Sequence, residues 1–148
     1  MLHTTDNTNR IPLVLLLLRT SIFITMAMWT MDKFLRPEHA AAIFEHFYGL
    51  SGLDVSLTYV LASAEAALLI AFLIGFKPRF TYGMVLILHG ISTISSYKQY
   101  INPFEGSNLL FFAAWPMLAA CFALYILRDL DTWRISTCLC CCKKDQAE

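Results

Sequence analysis

The sequence predicts an all-α fold, an integral membrane four-helix bundle with a short amphipathic helix in its first outer loop. Three observations predict it. The chain is 57% hydrophobic and only 15% charged, where a soluble domain carries about 25% charged residues, so polar side chains cannot cover a globule of 148 residues. Four apolar runs fill most of the chain, each near the ~20 residues a helix needs to cross the hydrocarbon core. Three of those runs carry an ionisable residue in their interior: Arg19 in LLLLRTSIF, Glu65 in LASAEAALL and His89 in VLILHGISTISS.

Residues 1–10, MLHTTDNTNR, read as a polar N-terminal tail. The domain proper is expected over 11–130, with spans at about 11–34, 55–76, 81–100 and 107–128. Pro12 sits in the first turn of the first span, where its missing N–H costs little. That span does not read as a cleavable signal peptide, because Met28, Trp29 and Met31 stand where a small-x-small site would be needed. In the first loop, Pro37 and Glu38 resemble a helix start and Gly49 a stop. Ile43, Phe44, Phe47 and Tyr48 fall between them at helical spacing, as in a helix lying in the membrane interface. GFKPRF forms a tight turn between spans two and three, and the INPFEGSN loop joins spans three and four. Pro116 is expected to free the carbonyl of Phe112 and kink the last span.

Basic residues in short loops set orientation. Arg10, Lys77, Arg79, Arg128, Arg134, Lys143 and Lys144 lie on one side, and Lys33, Arg36 and Lys98 on the other. Seven against three predicts both termini in the cytoplasm. Eleven bases balance eleven acids, which excludes the basic surplus of a nucleic-acid binder.

Ionisable residues within a bilayer cost several kcal/mol by insertion scales and face the bundle interior with a partner. Arg19 can reach several ångström along its helix, so an Arg19–Glu65 pair is expected. Ser92, Thr93 and Ser96 follow His89 at i+3, i+4 and i+7 and share its face; Tyr82 precedes it at i−7. Thr58 and Ala62 stand at i−7 and i−3 from Glu65. Trp115 adds one N–H donor in the last span. The expected buried polar cluster is therefore Arg19, Glu65, His89, Ser92, Thr93, Ser96 and Trp115. Within it His89, Arg19 and Trp115 are the candidates to hydrogen-bond a quinone, whose carbonyl needs a donor in an apolar pocket. Two plainer readings stand beside this one: a structural ion pair, and a static hydrogen bond from His89 across the bundle.

No metal site is expected, since no second His or Cys stands at ligand spacing within the spans. His39 and His46 belong to the outer loop, solvated or interfacial. Residues 131–148 read as a Cys-rich cytoplasmic tail. Its Cys138, Cys140, Cys141 and Cys142 do not resemble two zinc knuckles, and cytosolic thiols stay reduced; a disordered tail is the first reading, ahead of metal or lipid attachment. Cys121 lies inside the last span as a packing residue.

Arg19 in the first span, Lys33 in MDKF at its outer end, and Glu65 in AEAALLIAFLIGF followed by Gly75 together resemble the DoxX-like membrane proteins over about residues 10–130. The resemblance implies a small four-span bundle. It also implies one of two roles: a subunit or partner of a membrane redox complex, or a trafficking or assembly factor for another membrane protein.

The first functional expectation is an accessory subunit of a membrane redox system, contacting quinone or a redox partner through the polar cluster, in a bacterial inner (plasma) membrane. The alternative is a non-enzymatic assembly, trafficking or structural factor, suggested by the lack of a complete catalytic set such as a P-loop or a dinucleotide fingerprint. A small transporter ranks third, because no inverted repeat is visible. The expected partners are the lipid bilayer and a membrane protein or a second copy, with no nucleic acid.

Overall fold

The computed structural model describes residues 10–50, 52 and 54–135, and among them every regular element is helical. The N-terminal tail before Arg10 and the four cysteines from Cys138 to Cys142 lie outside the described residues. The helices are α1 Ile11–Leu35, α2 Pro37–Tyr48, α3 Val55–Leu73, α4 Pro78–Ser95, α5 Tyr97–Ile101 and α6 Ala114–Ile126. A 3₁₀ segment, Asn108–Ala113, leads directly into α6.

Periodicity explains the packing. The buried residues of α1 are Leu15, Arg19, Ile22, Met26 and Thr30, spaced three or four apart, which places them on one helical stripe. In α3 the stripe is Thr58, Ala62, Leu69 and Phe72, with Glu65 in register between Ala62 and Leu69. In α4, Tyr82, Val85, His89 and Thr93 do the same. These stripes meet around a core of Leu15, Ile22, Met26, Leu69, Phe72, Tyr82, Val85, Cys121 and Leu124. Helix α1 packs against α3 and α6, and α4 packs against the same two neighbours, so the four long helices form a closed ring. Helix α2 lies across α1 and α3 at one end. Its limits are those the sequence signals, with proline in the first turn and Gly49 left-handed at φ 68° as the cap.

The outward faces are apolar. Leu17, Val60, Ile87 and Phe122 are all more than half exposed, and soluble monomers rarely expose apolar surface on this scale. Three helices, Ile11–Leu35, Val55–Leu73 and Asn108–Ile126, are long and apolar enough to cross a membrane. Helix α4 is not among them, because Arg79 in its first turn and His89 within it, with Tyr82, Ser92, Thr93 and Ser95, dilute its aliphatic residues. The expected continuous span over 81–100 is also divided, with Ser96 closing α4 before α5 begins. Hydroxyls on the helices are satisfied locally. Thr20, Ser21, Thr25, Ser63 and Ser95 each donate to the carbonyl four residues back, which removes the need for a water partner.

Pro116 stands near the middle of the apolar Asn108–Ile126 rod, just after its change from 3₁₀ to α geometry. The α-helical part of the last rod begins at Ala114, so the proline occupies the first turn, where a missing N–H is tolerated.

Candidate functional site

The polar residues form two separate clusters rather than one. The first lies at the end of the bundle where α1 begins. Arg19 is 2% exposed. Its Nη1 donates to Asp131 Oδ2 at 2.7 Å and to Tyr82 Oη at 2.9 Å, and its Nη2 donates to the Trp133 carbonyl at 2.7 Å. Tyr82 in turn donates to the same Asp131 Oδ2 at 2.6 Å. The carboxylate thus receives two hydrogen bonds on one oxygen. Its other oxygen, Oδ1, and the Arg19 Nε are buried without a partner among the described residues.

A chain reversal makes this site. After α6, residues 127–135 turn back beneath the bundle, and Ile135 N–H bonds the Ile74 carbonyl at 3.1 Å. Arg134 donates to the Arg128 carbonyl at 2.8 Å, which fastens the reversal. Gly75, at φ 69°, is required where the strap passes. A Cβ there would stand 2.5 Å from Arg134 Cβ and 2.9 Å from Arg19 Nη1, and left-handed backbone disfavours any other residue. Residues 131–135, placed by sequence in the tail, are therefore part of the folded unit, and Asp131 is fully buried.

The second cluster lies toward the other end. Lys33 Nζ donates to Glu65 Oε2, and the two side chains are 21% and 16% exposed. Phe44 of α2 covers the ammonium, with its ring centroid 5.9 Å away. One turn deeper, His89 is 1% exposed. Its Nε2 lies 3.1 Å from the Ala114 carbonyl; a carbonyl only accepts, so this nitrogen carries the proton. The ring stacks on Trp29 with centroids 6.0 Å apart, and Nδ1 is buried without a partner among the described residues.

These positions correct several expectations. Arg19 does not pair with Glu65. It pairs with Asp131, and Glu65 pairs with Lys33. The reason is level along antiparallel helices. Gly75 at the end of α3 abuts Arg19, and Glu65 stands ten residues earlier, ~15 Å up the helix, beyond the reach of a guanidinium. Thr93 and Ser96 share the buried face of His89, as expected, but their hydroxyls donate to the carbonyls of His89 and Ser92 on their own helix, at 2.8 and 3.1 Å. Ser92 is half-buried. Trp115 is 51% exposed and packs on Tyr100, not beside His89. The expected donor trio His89, Arg19 and Trp115 is thus dispersed over different levels and faces.

Asp131 is the residue that sequence reasoning missed. It stands in LRDLDTW, which resembles any solvated segment after a helix. The available signal was Arg19 itself, a buried cation requiring an anion at its own level. Among the described residues, no three His, Cys, Asp or Glu side chains gather as a metal site. Searches against protein-family models, curated proteins and solved structures find no match to this chain.

Proposed function

We propose that the chain is a four-span integral membrane protein that acts as a non-enzymatic assembly or structural factor, binding another membrane protein or a second copy. The observation that carries this reading is the closure of the buried charges on one another, Arg19 with Asp131 and Lys33 with Glu65. Such pairs fix helix register and leave apolar side chains as the surface offered to a partner. Within the ring, α4 packs between α3 and α6, so it crosses with its polar face inward; at 18 residues it is ~27 Å long, near the thickness of the hydrocarbon core. The excess of basic residues at the Arg10 and Arg128 end supports cytoplasmic termini, and we place the protein in a bacterial plasma membrane. The reading also takes up the DoxX-like resemblance; of the residues that carry it, Lys33 bonds Glu65 and Gly75 abuts Arg19.

A second reading, a quinone-contacting accessory subunit of a redox system, is favoured by one observation. His89 Nδ1 is buried and bare beside the Trp29 ring, a setting in which an apolar ligand with a polar tip would find a partner. Purification from native membrane in mild detergent, with mass spectrometry of copurified proteins and lipid-soluble molecules, separates the two. A stoichiometric membrane protein without quinone is expected. Equimolar quinone, lost in His89→Phe, would replace the first reading with the second.

A further inference from the structure

At the Lys33 end of the bundle, residues 97–110 carry apolar side chains left uncovered by the rest of the described chain. Phe104 is 90% exposed, Leu110 75% and Ile101 70%. Tyr97 and Leu109 are also more than half exposed. Contacts of α4 fix the level of this segment along the bundle. The His89 ring bonds the Ala114 carbonyl and stacks on Trp29, so these three residues share one level. Ser96, where α4 ends, is seven residues or ~10 Å beyond it. Leu110 is four residues before Ala114 in the 3₁₀ segment, ~8 Å beyond the same level. Lys33 is one turn past Trp29, ~6 Å beyond. The segment therefore leaves and rejoins the bundle close to the level of Asp32, Lys33 and Arg36, the first charges met along α1 after Arg19.

Local structure holds these side chains outward. Tyr100 of α5 packs on Phe112 and Trp115, with ring centroids 5.3 and 5.7 Å away. That contact clamps α5 to the rod leading into α6 and leaves Tyr97 and Ile101 on the outside. The turn that follows closes on the Asn102 carbonyl, which accepts from the Glu105 N–H at 3.3 Å and from Asn108 Nδ2 at 2.9 Å. Pro103 and Phe104 are its two central residues, and proline suits the first of them. The Asn108 N–H bonds the Glu105 carbonyl at 3.1 Å, and Gly106, at φ 55°, lets the chain reverse. The turn thus satisfies backbone groups internally, as apolar surroundings demand. Phe47 of α2 meets Phe111 just after it, with centroids 5.9 Å apart, so α2 and this segment adjoin at the same end.

We propose that residues 97–110 form a second interfacial element beside α2, with Ile101, Phe104 and Leu110 inserted among phospholipid acyl chains at the headgroup boundary. Position along the bundle selects this occupant. Ile91 and Ile94, exposed on α4, lead up to the segment, and Leu109 and Leu110 begin the apolar rod that leaves it. Lipid that covers those helices therefore reaches the segment from both sides. Its level is that of the first charges on α1, where hydrocarbon gives way to headgroups and apolar anchors enter while polar neighbours stay wet. Lys98 reaches water from that level along its own stem. Glu105 offsets its charge, so the segment offers no net charge for a protein partner to match. The inference rests on the membrane reading for the bilayer itself and adds where that bilayer ends. It does not depend on whether the protein serves assembly or redox chemistry.

The test places the full chain, one copy per lipid nanodisc, in phosphatidylcholine brominated either near the headgroup or near the acyl terminus. Phe104→Trp supplies a fluorescent reporter, read as the difference from the unaltered chain with its own Trp29, Trp115 and Trp133. The added emission is expected to shift to the blue of free tryptophan in water. It should lose more intensity to the shallow bromine than to the deep one, and little to iodide in the buffer. Ile101→Trp should behave alike, so the result does not hang on one substitution in the turn. Iodide quenching of both reporters as strong as for free tryptophan, with neither bromine effective, would overturn the proposal and leave the segment to water or to a protein partner. Stronger loss to the deep bromine would also overturn it, because the segment would then lie inside the core. Protection seen only in discs holding two copies would reassign the patch to a second copy of the chain. The unaltered chain keeps this failure apart from failure of the membrane reading. Trp29 and Trp115 stand about half exposed on two of the apolar rods, and brominated lipid should quench them. If it does and the added tryptophans stay bright, the boundary assignment alone falls; if it quenches none of them, the membrane reading falls with it.

Discussion

The two ends of the bundle solve the same problem in different ways. At the α1 start, Arg19 is sealed beneath a strap of chain and shares its anion with a tyrosine, with side-chain exposures of 3% for Arg19 and 0% for Asp131. At the other end, Lys33 and Glu65 remain partly open, with the Phe44 ring of α2 over the ammonium. Both are ion pairs between elements distant in sequence, but their energetics differ. A sealed pair is costly to form, because both ions lose their hydration, and more costly to break, because the survivor stays desolvated. A partly open pair can rehydrate, so its net contribution is small. The sealed end is therefore where single changes should unfold the protein, and the open end is where they should be tolerated.

The largest expected effect follows from that contrast. Asp131→Asn leaves Arg19 charged and buried with no counter-anion, only neutral partners in the new amide, the Tyr82 hydroxyl and the Trp133 carbonyl. Thermal unfolding in detergent should show a loss of about 3–5 kcal/mol. Replacing the pair together, as Arg19→Met/Asp131→Leu, should cost less than Asp131→Asn alone, because no uncompensated charge remains. A double variant worse than the single would mean that the strap needs the pair for reasons other than neutralisation.

Gly75→Ala probes the same end through the backbone. The added Cβ would press on Arg134 Cβ and Arg19 Nη1 in a left-handed conformation, at a cost of about 1–3 kcal/mol. The equivalent change at Gly49, where a Cβ meets nothing within 4 Å, carries only the conformational part. Equal losses at the two glycines would show that the strap does not pass as closely as described.

Between the ends, His89→Phe keeps a ring beside Trp29 and removes the bond to the Ala114 carbonyl. The expected loss is about 1 kcal/mol, in unfolding measured as before. A loss above that of Gly75→Ala would mark His89 as more than a static link.

Much of this architecture was legible from residue order alone. The apolar run around Arg19 marks α1 as a long apolar helix but not which of its faces is buried, and Pro37 with Gly49 brackets α2. The need of Arg19 and Glu65 for partners was equally visible, because charges in apolar runs require compensation. Their actual partners were not, since composition says which residues must pair but only helix level says which can. Asp131 was hidden for a related reason. A short segment after a helix carries no periodicity, and burial of Asp131 within RDLDTW follows only once the chain has reversed beneath Arg19. Trp115 was misplaced because it was grouped with the buried cluster as an N–H donor in an apolar run, whereas the α6 register turns it outward onto Tyr100.

The smallest expected effect is the coupling between Arg19 and Glu65. In a double-mutant cycle, Lys33→Gln with Glu65→Gln should be non-additive, since the two side chains share one hydrogen bond; the single changes should cost about 1 kcal/mol or less, as partly open pairs do. Arg19→Gln with Asp131→Asn should be strongly non-additive for the reason given above. Arg19→Gln with Glu65→Gln should instead add within about 0.5 kcal/mol. The two residues share no partner, because Arg19 spends its donors on Asp131, Tyr82 and Trp133 while Glu65 accepts from Lys33. They also stand at levels separated by ~15 Å along α3. A coupling well above 0.5 kcal/mol would mean that the two clusters communicate, either through a shared rearrangement of α3 or through direct pairing in a second arrangement of the bundle. Either result would remove the distinction between the sealed end and the open one.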